Sequence, residues 1–215
     1  MPKLNITILD AFPSDGFVSV FKIHTDTLSI MRRALLDDID PFNHAYRMNQ
    51  EPSHLVGETA SIVISPMSSS TDAHAFRDLN VEWISNLFSL EDADRLILGD
   101  PQGEIVDKGG QVLLARSGGI VVGCVALVAA GNGVFELSKM TVSPSRRGEG
   151  LGRAIVLAAI EKARQLGAST LFLGSSTKLA NAVRLYESVG FRHVPIGELG
   201  PLPYRRADVF MKYEL

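Results

Sequence analysis

Val142-Ser143-Pro144-Ser145-Arg146-Arg147-Gly148-Glu149-Gly150-Leu151-Gly152-Arg153 joins a strand-like run to an Ala- and Leu-rich helical one. Glycines at 148, 150 and 152 let a backbone approach a ligand with no side chain in the way. The first free N–H groups of the following helix point at the same spot, where the helix dipole favours negative charge. Arg146, Arg147 and Arg153 add fixed positive charge. A solvated turn uses glycine for geometry alone, and three alternating glycines with three cations exceed that need. The stretch therefore reads as a cradle for a phosphate or pyrophosphate. It is not the triphosphate loop, since no G-x-x-x-x-G-K-[ST] is present. The dinucleotide pattern G-x-G-x-x-G fails at Arg153 from one start and at Ile155 from the other. No acid follows the next strand to hold a ribose, because Leu173 is succeeded by Gly174-Ser175-Ser176.

Elements on either side define the frame. Upstream, Gln111–Arg116, Ile120–Ala130 and Val134–Val142 read as strands joined by Gly118-Gly119 and Gly131-Asn132-Gly133, a hairpin signal that predicts antiparallel neighbours. Before them come a strand at Ala60–Ser65, a cap at Ser68–Asp72, and helices at Ala73–Phe88 and Glu91–Leu98. The first helix is expected to bury Phe76, Leu79, Trp83 and Leu87. Downstream, a helix at Leu151–Leu166 closes on Gly167. A fully apolar strand at Thr170–Leu173, a helix at Lys178–Val189, and strands at Phe191–Val194 and Asp208–Tyr213 complete the order. This predicts an α/β fold with a mixed sheet and helices on its faces.

Residues 1–59 form an N-terminal extension, with 60–215 as the main domain. In the extension, Phe17–Ile23 alternates like a strand and Leu28–Ile39 has helical spacing. The apolar stripe of that helix is expected to dock on the rest of the chain or on a second subunit, as in a homodimer. Asn43–Glu58 reads as a loop. The 215 residues carry 21 basic and 24 acidic side chains, so 21 − 24 = −3, which argues against a general nucleic-acid binder. The longest apolar run, Gly119–Ala130, is about 12 residues against the roughly 20 a bilayer span needs. No apolar leader precedes Asp10 and Pro13. One cysteine, Cys124, forms no internal disulfide. A cytoplasmic protein without a membrane partner is expected. His24, His44, His54, His74 and His193 show no ligand spacing, so no metal is expected.

The glycine stretch, as Arg147-Gly148-Glu149-Gly150-Leu151-Gly152, resembles the R-x-x-G-x-G motif of the GNAT superfamily of N-acetyltransferases. Glu136-Leu137-Ser138-Lys139-Met140-Thr141-Val142 is similar to the strand before that motif. Ala182-Val183-Arg184-Leu185-Tyr186-Glu187-Ser188-Val189-Gly190-Phe191 is similar to the family's A-x-x-L-Y-E-x-x-G-F signature, and Phe76–Ile84 to its first helix. The resemblance covers about residues 60–215. It implies a GNAT-like fold and acetyl-coenzyme A as donor to an amine acceptor. The backbone of Met140, Thr141 and Val142 would pair with the pantetheine arm. Amides from Gly148, Glu149, Gly150, Leu151, Gly152 and Arg153, with Arg147, would hold the pyrophosphate. Members often carry Asn seven residues before the motif tyrosine. Here that position is Leu179, with Asn181 and Ser176 as substitutes.

Acetyl transfer to an ammonium with pKa near 10.4 needs a base, directly or through water. Glu136, flanked by Val134, Phe135 and Leu137, sits where an apolar setting could raise a carboxylate's pKa. The alternatives are a solvent-facing or ion-paired strand residue, with a water chain serving instead. Tyr186 is by analogy the proton donor to the leaving thiolate, or else a core tyrosine. The backbone N–H of Met140 would polarise the thioester carbonyl. Cys124, in an apolar strand, reads as an inert buried thiol, and Arg205-Arg206, near Tyr204, read as solvated, the alternative being contact with an acceptor carboxylate. The expected function is N-acetyl transfer to a primary amine. The alternative is a non-catalytic acyl-coenzyme A sensor whose first 59 residues contact a partner.

Overall fold

The computed structural model of the chain describes residues 5–11, 18–24, 61–199 and 203–215. Nine strands form one sheet. They are β1 (Asn5–Ala11), β2 (Val18–His24), β3 (Ser61–Pro66), β4 (Gln111–Ser117), β5 (Ile120–Gly131), β6 (Val134–Val142), β7 (Thr170–Ser175), β8 (Arg192–His193) and β9 (Val209–Glu214), in the order β1-β2-β3-β4-β5-β6-β7-β9-β8. Every pairing is antiparallel except β6 with β7. The mixed sheet and the meander from β4 to β6 are as the turn glycines predict. The expected strand at 17–23 is β2, which pairs with β3 from Ser19↔Ile64 to Lys22↔Ser61, so the sheet runs across residue 60. The helix expected at 28–39 and the loop expected at 43–58 lie outside the described residues. The strand expected at 191–194 shrinks to β8, two residues paired with β9.

Helices cover both faces. One face packs α3 (Leu151–Gln165) and α4 (Ala180–Ser188), and the other packs α1 (Ser70–Leu87) and α2 (Asp92–Gly99). Alternation along β4 and β5 divides the core between them. Leu113, Ala115, Val125 and Leu127 join the α3 side, whereas Val112, Leu114, Cys124 and Ala126 join the α1 side. Strands buried on both faces carry continuous apolar runs, which explains the length of the apolar stretch in β5.

Helix α1 starts at Ser69, whose hydroxyl accepts from the Asp72 N–H at 3.1 Å. Its buried face differs from the one expected. Phe76, Asn80 and Ile84 are buried, while Leu87 is 53% exposed. Asn80 goes inside because its polar atoms are satisfied there. Its Nδ2 donates to the Phe76 carbonyl at 2.9 Å and to Cys124 Sγ at 3.3 Å, and its Oδ1 accepts from Trp83 Nε1 at 3.0 Å. Trp83 and Leu87 instead face the cleft described below.

Helix α3 is Ala-rich and buries eight residues, from Leu151 to Ala163. Gly150 precedes it at φ 79° and Gly167 follows at φ 76°, both left-handed positions that favour glycine. The helix lies close on β5 because residue 123 is glycine. A Cβ there would stand 2.6 Å from Ile155 Cδ1 and 3.0 Å from the Thr141 carbonyl oxygen. Gly123→Ala should therefore push α3 off the sheet and destabilise the fold by about 1–3 kcal/mol. Urea denaturation reads this directly, and an unchanged midpoint would show that α3 shifts without cost.

Candidate active site

Strands β6 and β7 pair only at Val134↔Thr170, Phe135↔Leu171 and Glu136↔Phe172. Both then continue, to Val142 and Ser175, without further pairing. The cause lies on the other side of β6. Between Cys124↔Thr141 and Ala126↔Ser138, β6 advances three residues while β5 advances two. This bulge places Lys139 at φ 51° and bends the strand away from β7.

The opening is a cleft of about 750 Å³. Glu136, Met140, Thr141, Val142, Arg147, Gly148, Gly150, Gly152, Arg153, Asn181 and Tyr186 all line it. Two other residues of the motif do not. Glu149 turns to Arg146, Oε2 accepting from Nε at 2.8 Å, and Leu151 is buried in the core. At the glycine turn, Gly148 and Gly150 have φ of 82° and 79°. No side chain caps the N-terminus of α3. Gly152 serves packing, since a Cβ there would come within 3.2 Å of Leu185 Cδ2 and 3.4 Å of Met140 Cε. Arg147 Nε donates to the Val142 carbonyl at 3.2 Å, and Arg153 donates to Ser188 Oγ at 3.0 Å. Leu179 and Ser176 line the cleft beside Asn181, whose Oδ1 accepts from Arg184.

Several ionisable groups on the cleft wall have shifted affinities for protons, Glu136 and Tyr186 among them. Burial pushes the Glu136 carboxyl above the ordinary glutamate range, against the opposing charge of Lys139 and a hydrogen bond with Ser138. Burial also raises the Tyr186 phenol, so it is protonated at neutral pH, and its hydroxyl donates to Met140 Sδ at 3.5 Å. Cys124 is buried and its thiol is pushed up to about 12, as expected of an inert thiol.

Sequence reasoning missed the polar cluster on the cleft floor. Lys139 Nζ lies 3.1 Å from Asp94 Oδ1 and donates to Tyr204 Oη at 2.6 Å. Arg206 is not solvated as expected. It donates to both Asp94 oxygens at 2.6 and 2.7 Å and to Glu91 Oε1 at 3.0 Å. Burial opposes the charge on Asp94, but bonds from Arg206 and the Glu91 backbone, with the charge of Lys139, hold it below the usual carboxylate range. The available signal was Lys139 itself, a cation in an otherwise uncharged run from Leu137 to Val142. Asp94 also serves as a capping residue of α2, accepting from the Glu91 N–H at 3.0 Å. Among the described residues, no three His, Cys, Asp or Glu side chains gather as metal ligands, and no helix is long and apolar enough to cross a membrane.

The acetyltransferase (GNAT) family model matches residues 74–191, from the start of α1 to the end of the tyrosine motif. An uncharacterised N-acetyltransferase of Bacillus subtilis is 34% identical over 120 residues, covering 54% of this chain and 77% of that protein. An IAA acetyltransferase of Azospirillum brasilense is 37% identical over 93 residues, covering 42% of this chain and 61% of that one. Among solved structures, a GNAT-family acetyltransferase of Staphylococcus aureus superposes with TM-score 0.66 at 22% identity, over 72% of this chain and 99% of that one. A Salmonella typhimurium acetyltransferase solved with acetyl-CoA gives 0.54 at 23%, over 72% and 94%. The structural likenesses carry the architecture, and the matched residues contain both the glycine turn and the tyrosine helix. With that match spanning more than half of its length, the chain belongs to the acetyltransferase (GNAT) family.

Proposed function

We propose that the protein transfers an acetyl group from acetyl-coenzyme A to a primary amine, with residues 60–215 as the transferase unit and 1–59 as an extension. The observation that carries this reading is the unpaired stretch of β6 beyond Glu136, open along the cleft between the glycine turn and the two ionisable side chains. Among the described residues, no strand pairs with β6 on the β7 side between Met140 and Val142, which suits an extended amide-bearing arm that pairs there as an added strand. Backbone N–H groups at the start of α3, with Arg147 and Arg153, suit the pyrophosphate. Asn181 and Ser176 stand where the pantetheine arm would pass.

In this reading the thioester carbonyl sits at the Met140 N–H, which stabilises the oxyanion of the tetrahedral intermediate. The acceptor gives up a proton to Glu136, directly or through one water, and its nitrogen attacks the carbonyl carbon. Collapse breaks the C–S bond, the departing thiolate takes a proton from Tyr186, and the second proton of the attacking nitrogen returns to that phenolate, which leaves a neutral amide, a free thiol and Tyr186 protonated again. The elevated affinity of the Glu136 carboxylate for protons makes it a stronger base than an exposed glutamate.

Gly150→Val forces a β-branched residue into a left-handed position at the turn, so calorimetry should show acetyl-coenzyme A affinity collapsing. Unchanged affinity would remove the turn from the cofactor site. Tyr186→Phe removes one oxygen, leaving cofactor affinity nearly intact and lowering turnover on the order of 10²–10⁴-fold. Full turnover with chemistry rate-limiting would make the tyrosine structural. The pH profile tests the base. The active form of Glu136 is deprotonated, so kcat/KM should rise with pH through its pKa, at a midpoint above the roughly 4.3 of an ordinary glutamate. Glu136→Gln should abolish that limb, and a limb that persists would assign it to another group.

A further inference from the structure

Charge along the cleft is unevenly answered. Its lining holds one carboxylate, Glu136, against Lys139, Arg146, Arg147, Arg153, Lys178 and Arg206. Lys139 and Arg206 are neutralised by Asp94 and Glu91, and Arg146 by Glu149. Arg147 and Arg153 flank the glycine turn, where phosphates are proposed to sit. Lys178 remains. Among the described residues no carboxylate pairs with it, and its Nζ stands 5.5 Å from the centre of the Phe88 ring.

Its position separates it from the cofactor end. Lys178, Leu87, Phe88 and Arg206 also line an adjoining groove of about 760 Å³, bordered by Ser89, Glu91, Asp92, Ala93, Pro203 and Arg205, and no residue of the glycine turn reaches it. Arg205 lines this groove, with no acid partner for its guanidinium among the described residues. Asp92, the groove's acid outside the Arg206 cluster, lies in the first turn of α2, where it offsets the positive helix end. A molecule entering here meets two cations and an apolar wall, and Lys178 belongs both to this groove and to the cleft that Glu136 lines.

We infer that the acceptor is an amino acid, or an amino-acid-like molecule, whose carboxylate is held by Lys178 with Arg205 alongside while its amine reaches Glu136. This rests on the acetyl-transfer reading above. A lysine ammonium supplies a charge-assisted bond to a carboxylate, and Phe88 and Leu87 give the acceptor's carbon skeleton an apolar surface.

The test compares acceptors that differ only in the carboxylate, such as phenylalanine with phenethylamine and lysine with cadaverine. Binding to the protein saturated with coenzyme A is read by calorimetry, and transfer by thiol release. The carboxylated member of each pair should bind about tenfold more tightly, the size of one charge-assisted hydrogen bond. Lys178→Gln should raise its KM by a similar factor and bring the ratio within the pair toward one, with acetyl-coenzyme A affinity unchanged. Equal handling of both members by the native protein, an equal loss for both in Lys178→Gln, or weakened cofactor binding in that variant would each overturn the inference. So would amino acids that fail to bind. The two readings separate cleanly. Carboxylated acceptors bound through Lys178 without thiol release would sink the transfer reading and leave the subsite, whereas equal turnover of the decarboxylated amines would do the reverse.

Discussion

Lys139 occupies a left-handed backbone position in the middle of β6, and the cleft exists because it does. One extra residue against β5 turns the strand, so its second half leaves β7. A lysine is a costly residue to place there, since it is 6% exposed and burial works against its charge. Asp94 and Tyr204 answer that cost against the like charge of Arg206, and they come from α2 and the loop before β9. A single buried cation thus holds two separate segments against the bulge. Removing the Asp94 charge would leave Lys139 buried without its carboxylate partner, a penalty of about 3–5 kcal/mol for a buried pair.

The rest of the site follows from how tightly the layers approach. Gly123 lets α3 lie on β5, and Gly152 lets its first turn lie against Met140 and Leu185. The uncapped start of that helix is thereby fixed at the mouth of the opening. Tyr186 is brought to the same opening from the other side by α4, its ring packed against Phe191 at 5.8 Å between centres. The burial that stabilises these contacts also raises the proton affinity of Glu136, while Lys139 restrains the shift. Packing and basicity are one arrangement here, because the same exclusion of water produces both.

Local chemistry made much of this legible before any coordinates. Turn glycines placed β4 to β6, Gly167 and Gly190 closed two helices at positive φ, and the hydroxyl of Ser69 began another. The alternating glycines and arginines at 146–153 pointed to the cradle, and Glu136 and Tyr186 were singled out by flanking residues and motif. These signals are short-range: a turn type, a cap or a backbone conformation needs only neighbours in sequence to declare itself.

What stayed hidden depends on partners far away in the chain. Asn80 is inside and Leu87 outside because Cys124 and Trp83 bond the one and the cleft takes the other, which a helical stripe of apolar letters cannot show. Arg206 reads as a solvated residue until Asp94, 112 positions away, is folded against it. Strand β1 and the pairing of β2 with β3 were likewise invisible, since register is set between strands. The sequence by itself determined the order of elements from β3 onward, the glycine turn and the two ionisable residues beside it. Tertiary structure alone decided where β6 parts from β7 and which charges are neutralised at that opening, because a bulge and a buried ion pair are each defined by groups that only folding brings within a few ångströms.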